Sequence, residues 1–105
     1  MKVLFDQGVP VPLRRGLQGH VIDTLFERGW SGLENGNLPD AAEADGYDVL
    51  VTTDQNLKHQ QNLSGRQVAI VVLLSTAWPK IRHKFPEIAA AVGSVRRGTL
   101  VEVPI

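Results

Sequence analysis

The sequence predicts an α/β domain built on a parallel sheet that is covered on both faces. Two observations carry this. The apolar stretches KVLF, VLVT and QVAIVVLL are almost continuous, as strands buried on both faces must be, rather than alternating apolar and polar. Stretches of helical character separate them, so strand and helix follow one another along the chain. The 105 residues fit one small domain, taken as 1–105, without internal repeat or low-complexity linker.

Lys2–Phe5 is the first expected strand. GVPVP then turns the chain, and Pro12 suits the start of a helix running to Leu17, where a missing N–H costs nothing. His20–Leu25, rich in β-branched residues, is the second strand. Glu27–Asn37, with its glycines and no periodicity, is expected to be a long loop. Asn37 has the character of a helix N-cap, with Pro39 in the first turn and Asp40 three residues on, like the acidic member of a capping box. This helix should end near Asp45, at Gly46. Asp48–Thr52 is the third strand, and Gln55–Leu63 is a polar turn or short helix. Gln67–Leu74 is the strand best suited to the sheet centre. Trp78–Val95 is the longest helical pattern, with Pro86 as a kink or break, and Thr99–Val103 is the last strand.

Composition narrows the function. Hydrophobic residues make up 43% of the chain, enough for a core, and aromatic residues only 6%, so that core is aliphatic. Formal net charge is zero, which removes the strongly basic overall field of many nucleic-acid binders and leaves any such contact to a local patch. There is no cysteine, so disulfides and thiolate zinc sites are excluded and a reducing, cytoplasmic compartment is expected. The amino terminus lacks the features of a secretory signal, and the apolar run Val68–Leu74 is too short to cross a bilayer, so no membrane association is expected.

The chemistry points to two aspartates. KVLFD and VLVTTD each carry an apolar strand straight into an acidic residue, Asp6 and Asp54. Ligands of open parallel sheets bind outside the carboxyl ends of the strands, where strand order reverses. With strand order 2-1-3-4-5, the first and third strands are neighbours at about 5 Å and both carboxylates face one crevice. Paired carboxylate oxygens suit Mg²⁺ or Mn²⁺, which take one or two carboxylates together with water and phosphate. Against this, an aspartate after a strand commonly forms a turn or caps a helix. Because Asp6 sits at a strand end, its loss is expected to cost folding at most a turn or cap interaction of about 1 kcal/mol. Thr52 and Thr53 either orient the carboxylates or touch a phosphate, with an ordinary strand residue as the competing reading for Thr52.

KVLFDQGVPVPL, VIDTL, ENGNLPDAAEADGYDVLVTTDQNL and VAIVVL together resemble the small PIN-like proteins of the domain family of unknown function 5615, relatives of the Mut7-C and VapC-type PIN domains. The resemblance covers nearly the whole chain and is most specific in FDQ and LVTTDQNL. It implies a PIN-like three-layer α/β/α sandwich around a mainly parallel five-stranded sheet, a toxin–antitoxin setting, and hydrolysis of RNA with Mg²⁺ or Mn²⁺ held by three or four acidic residues. Asp6 matches the first acidic position and Asp54 the acidic residue after the LVTT strand. The helix-leading acidic position falls at Asn35, beside Glu34, and the second acidic residue of the TxDxD-like ending falls at Asn56. Two amides therefore stand where the family has carboxylates, so the metal set Asp6, Asp54, Asn35 and Asn56 is a reduced one that binds the cation weakly.

Other residues complete the expectations. Arg14 and Arg15 in LRRG, and Lys58 and His59 after Asp54, are candidates for contacting nucleic-acid phosphate, with a solvated surface as the competing reading. His20, His59 and His83 show no metal-ligand spacing. KIRHK, Lys80–Lys84, is a basic face more consistent with solvation than function. Trp30 is expected to pack over the core, with base stacking as the alternative. The functional expectation is a metal-dependent endoribonuclease with Asp6 and Asp54 as catalytic residues. The alternative is a non-catalytic PIN-like module. The partners expected are RNA, an antitoxin-like protein and a second copy of the chain in a homodimer.

Overall fold

In the computed structural model, residues 1–33, 37–57 and 65–105 are described. Five strands, β1 (Lys2–Phe5), β2 (Val21–Thr24), β3 (Val49–Thr52), β4 (Ala69–Leu73) and β5 (Leu100–Val103), form one sheet in the order β2-β1-β3-β4-β5. Every neighbouring pair is parallel. The order reverses at β1, which lies between β2 and β3.

Side chains alternate across the sheet, as the strand period of two requires. Val3, Phe5, Val49, Val51, Val71, Leu73 and Val103 enter one apolar cluster. Leu4, Leu50, Ile70 and Val72 enter another on the opposite face. The first cluster is closed by Leu13 from a 3-10 helix at Val11–Gly16 and Leu17 just after it, by Ile81 from α3 (Trp78–Ile81), and by Ile88 and Val92 from α4 (Phe85–Ser94). The second is closed by Leu25 from α1 (Leu25–Arg28), by Leu38 and Ala42 from α2 (Leu38–Ala44), and by Tyr47 and Leu57. Helices this short do not persist alone in water. Burial holds them, since each fully buried Val, Leu or Ile is worth about 1.5–3 kcal/mol.

Several expected boundaries move, each for a local reason. The turn after β1 closes as a 3-10 helix whose first residues are preceded by Pro10 and include Pro12. The second strand stops at Thr24 rather than Leu25, because Thr24 caps α1: Thr24 Oγ1 accepts the Glu27 N–H at 3.1 Å, and the Glu27 carboxylate accepts the Thr24 N–H at 2.9 Å. The expected loop from Glu27 thus begins inside a helix, which Gly29 ends in the left-handed conformation at φ 72°. Asn37 does precede α2, but its side chain caps nothing, and Asp40 accepts from Arg66 at 2.5 Å instead of completing a capping box. The helical pattern over Trp78–Val95 is broken near Pro86, as expected, into two helices. Pro86 sits in the first turn of α4, where its missing N–H is harmless, so the chain breaks before it at Arg82–Lys84. Among the described residues no helix is long and apolar enough to cross a membrane.

Candidate functional site

Strand register brings the two acidic segments together. Phe5 pairs with Val51, and continuing that parallel register by one residue sets Asp6 beside Thr52 on the same face. The backbone confirms it, with the Asp6 N–H donating to the Val51 carbonyl at 2.8 Å. Asp6 is only 8% exposed and Thr52 is fully buried, a placement rare for polar groups unless they are bonded.

They are bonded to each other. The Thr52 hydroxyl donates to Asp6 Oδ2 at 2.6 Å. Thr52 Oγ1 in turn accepts the Asp54 N–H at 3.1 Å. The second carboxylate oxygen, Asp6 Oδ1, accepts the Gln7 N–H at 2.6 Å. Asp54 Oδ1 accepts the Asn56 N–H at 3.0 Å, which curls the chain after β3 into a turn continued by Leu57 N–H to the Asp54 carbonyl at 3.3 Å. One buried hydroxyl therefore ties together the Asp6 carboxylate and the Asp54 backbone, at the carboxyl edge of two adjacent strands, where the strand order reverses.

Gly8 completes the edge. A Cβ placed there would run into Thr53 Oγ1, so with glycine the segment after Asp6 lies against the segment before Asp54 without turning the Thr53 hydroxyl away. Thr52 and Thr53 thus have separate tasks, one bonding the aspartates and the other lining the approach of Gly8.

The expectation that Asp6 is a cheap strand-end residue does not hold. Its carboxylate is buried and receives two short hydrogen bonds, and hydrogen bonds to a charged group are worth about 1.5–3 kcal/mol. Asn56 is exposed, and its backbone N–H is committed to Asp54. Asn35, with Glu34 beside it, lies outside the described residues, and so do Lys58 and His59. Among the described residues no three Asp, Glu, His or Cys side chains gather into a metal-ligand group.

Arg14 and Arg15 stand on the 3-10 helix with different surroundings. Arg14 Nη2 donates to Glu27 Oε1 across to α1, while Arg15 is exposed. The Arg14 guanidinium, and after it the Thr24 backbone N–H, hold the Glu27 carboxyl below the usual carboxylate range. Trp30 packs as expected from burial, edge-on to Tyr47 with ring centroids 6.3 Å apart and the Arg28 guanidinium 4.8 Å above its ring. Arg28 also pairs with Asp45 at 2.6 Å. Tyr47 donates its hydroxyl to Asp23 Oδ2 at 2.6 Å, and burial, reinforced by that bond and charge, raises its pKa far above the ordinary tyrosine value. This aromatic and ionic cluster ties the end of α1 to Asp23 of β2 and to the segment from Asp45 to Tyr47 that follows α2.

A sequence signal did exist for two of these features. TLFE is a Thr-x-x-Glu capping box that announces α1, and Asp54 follows Thr52 by two positions within one run. Comparison of the chain with protein-family models, with characterised proteins and with solved structures finds no match.

Proposed function

We propose that the protein is a PIN-like, divalent-cation-dependent endoribonuclease with a reduced active site. The observation that carries this reading is the joining of Asp6 and Asp54 through Thr52 at the carboxyl edge where strand order reverses. The strand order and parallel pairing support a PIN-like three-layer arrangement, as does the placing of apolar clusters on both faces.

The donors present suit a hard cation. Both are carboxylates, and a carboxylate oxygen that accepts one hydrogen bond keeps a second lone-pair direction for an ion. Asp6 and Asp54 would hold Mg²⁺ or Mn²⁺, with Asn35 and Asn56 as neutral auxiliary ligands. When bound, the cation would offset charge on the phosphodiester oxygens and favour ionisation of an attacking water. Thr52 locks the Asp6 carboxylate in one orientation, the part that outer hydrogen-bond partners play around metal ligands. Two carboxylates cancel the charge of one divalent ion and no more, so binding is weak and turnover slow. An antitoxin-like partner and a homodimer belong to the same reading, and so does a cytoplasmic setting.

The second reading is a non-catalytic PIN-like module that binds RNA or a protein partner. It is favoured by the engagement of both Asp6 oxygens inside the protein, which gives that carboxylate a structural task without any cation.

Purified protein with Mn²⁺ is expected to cut single-stranded RNA slowly and to stop on addition of EDTA. By calorimetry Mn²⁺ should bind in the millimolar range or more weakly, and Asp54→Asn should abolish binding. Asn56→Asp adds a carboxylate and should raise both affinity and rate. If Asn56→Asp binds Mn²⁺ well and still cuts nothing, the nuclease reading falls and the module reading stands.

A further inference from the structure

The acidic and basic residues of this neutral chain are unevenly distributed along it. No Asp or Glu occurs between Gln55 and Pro86, a stretch that holds Lys58, Arg66, Lys80, Arg82 and Lys84. Partnership is uneven too. Lys2, Arg14, Arg28 and Arg66 each pair with a carboxylate. Arg15, Lys80, Arg82 and Lys84 form no ion pair with any described residue. Arg15, Lys80 and Arg82 are exposed, Lys84 is half-buried, and His83 stands beside Arg82 with Nε2 3.4 Å from Nε.

These four cations come from two segments that the fold presses together. Arg15 precedes Gly16, and a Cβ on Gly16 would lie 2.6 Å from the Phe85 ring, next to Lys84. Trp78 packs on Phe85 with ring centroids 5.7 Å apart, folding α3 back on the start of α4 and leaving Lys80 and Arg82 on the outside. The 3-10 helix follows the carboxyl end of β1, and α3 follows the carboxyl end of β4, which neighbours β3. The basic corner is therefore built from the connections that leave the same sheet edge as Asp6 and Asp54. Arg96 and Arg97 lie at the other end, before β5, where Arg97 donates to Gln67 at 2.9 Å.

We propose that Arg15, Lys80, Arg82 and Lys84 form a phosphate track that holds the backbone of single-stranded RNA alongside the Asp6 and Asp54 edge. The inference rests on the RNA-directed reading above and names the surface that would take the strand. Unpaired cations are the ones available to a polyanion. Cations already held by carboxylates would have to be released first. Beside two carboxylates that repel phosphate, a neutral protein needs such a local field to retain its substrate.

The test is fluorescence anisotropy of a labelled single-stranded oligouridine of about 15 nucleotides, a length that spans one such surface. It is run in EDTA so that binding is read without cleavage. Four phosphate contacts predict a slope of log affinity against log salt near −3, or roughly a 50-fold loss between about 50 and 200 mM salt. The triple variant Lys80→Ala, Arg82→Ala, Lys84→Ala should keep its circular dichroism and flatten that loss to about 3-fold. The pair Arg96→Ala, Arg97→Ala removes charge from the opposite edge and should bind like the parent. Equal affinity and slope for parent and triple variant overturn the proposal, and so does retention of an acidic polypeptide (polyglutamate) in preference to the oligonucleotide. Binding that follows the track without any cleavage in Mn²⁺ upholds the proposal and overturns the nuclease reading alone.

Discussion

Replacing Thr52 by valine removes one oxygen from the interior and almost no volume. In the parent that oxygen gives a proton to the Asp6 carboxylate at 2.6 Å and receives the Asp54 N–H at 3.1 Å, from a side chain with no solvent exposure. Valine leaves a carboxylate, 8% exposed, one donor short, at a cost of about 1.5–3 kcal/mol, and takes the acceptor from a backbone N–H, at about 1 kcal/mol. The added methyl recovers about 0.8 kcal/mol of apolar transfer. The net loss should be near 2–3 kcal/mol, a large part of the ~5–15 kcal/mol that holds a domain together. For a chain of this size that lowers Tm by about 8–20 °C. Urea unfolding followed by the fluorescence of Trp30 and Trp78 measures it, with an unchanged slope marking a pure stability effect. Thr52→Ser keeps the hydroxyl and gives up only a methyl, so it should lose about 1 kcal/mol. The cycle of Thr52→Val with Asp6→Asn should show coupling above about 1 kcal/mol. Thr52→Val within about 0.5 kcal/mol of the parent, or Thr52→Ser as damaging as Thr52→Val, would refute the argument, because surface-like substitutions fall in that range.

Two further outcomes follow from packing and titration. Gly16→Ala should destabilise by about 1–3 kcal/mol, since its Cβ would stand 2.6 Å from the Phe85 ring; a melting temperature equal to the parent's would show that the 3-10 helix and α4 can part freely. Tyr47 is the sole tyrosine, so the ultraviolet absorbance of phenolate follows it alone, and its onset should lie well above the ordinary tyrosine range in the folded protein. The sign follows from proton counting: the native state keeps a proton that the unfolded chain releases above about pH 10, so stability is full below that value and declines as pH rises past it, and Tyr47→Phe should abolish this decline. Ionisation at the ordinary value would mean that neither the burial of Tyr47 nor its bond to Asp23 is held in solution.

Apolar runs and the residues that end them were enough to place the strands and to deliver Asp6 and Asp54 to one edge, because buried parallel strands need continuous apolar stretches and the topology then dictates which end carries ligands. The same local logic marks α1 in TLFE, hidden by the β-branched run before it, whose strand propensity extends the reading to Leu25. Partnerships across the chain are another matter. That Arg14 is held by Glu27 and Arg66 by Asp40, while Arg15 and Lys80 stay open, depends on which helices the sheet sets side by side, and a charge carries no record of its distant neighbour. Thr52 shows the division most clearly. Its place in a strand is local and legible, but its bond to Asp6, 46 residues away, exists only because the register of β1 on β3 puts both on one face at the depth where water is excluded.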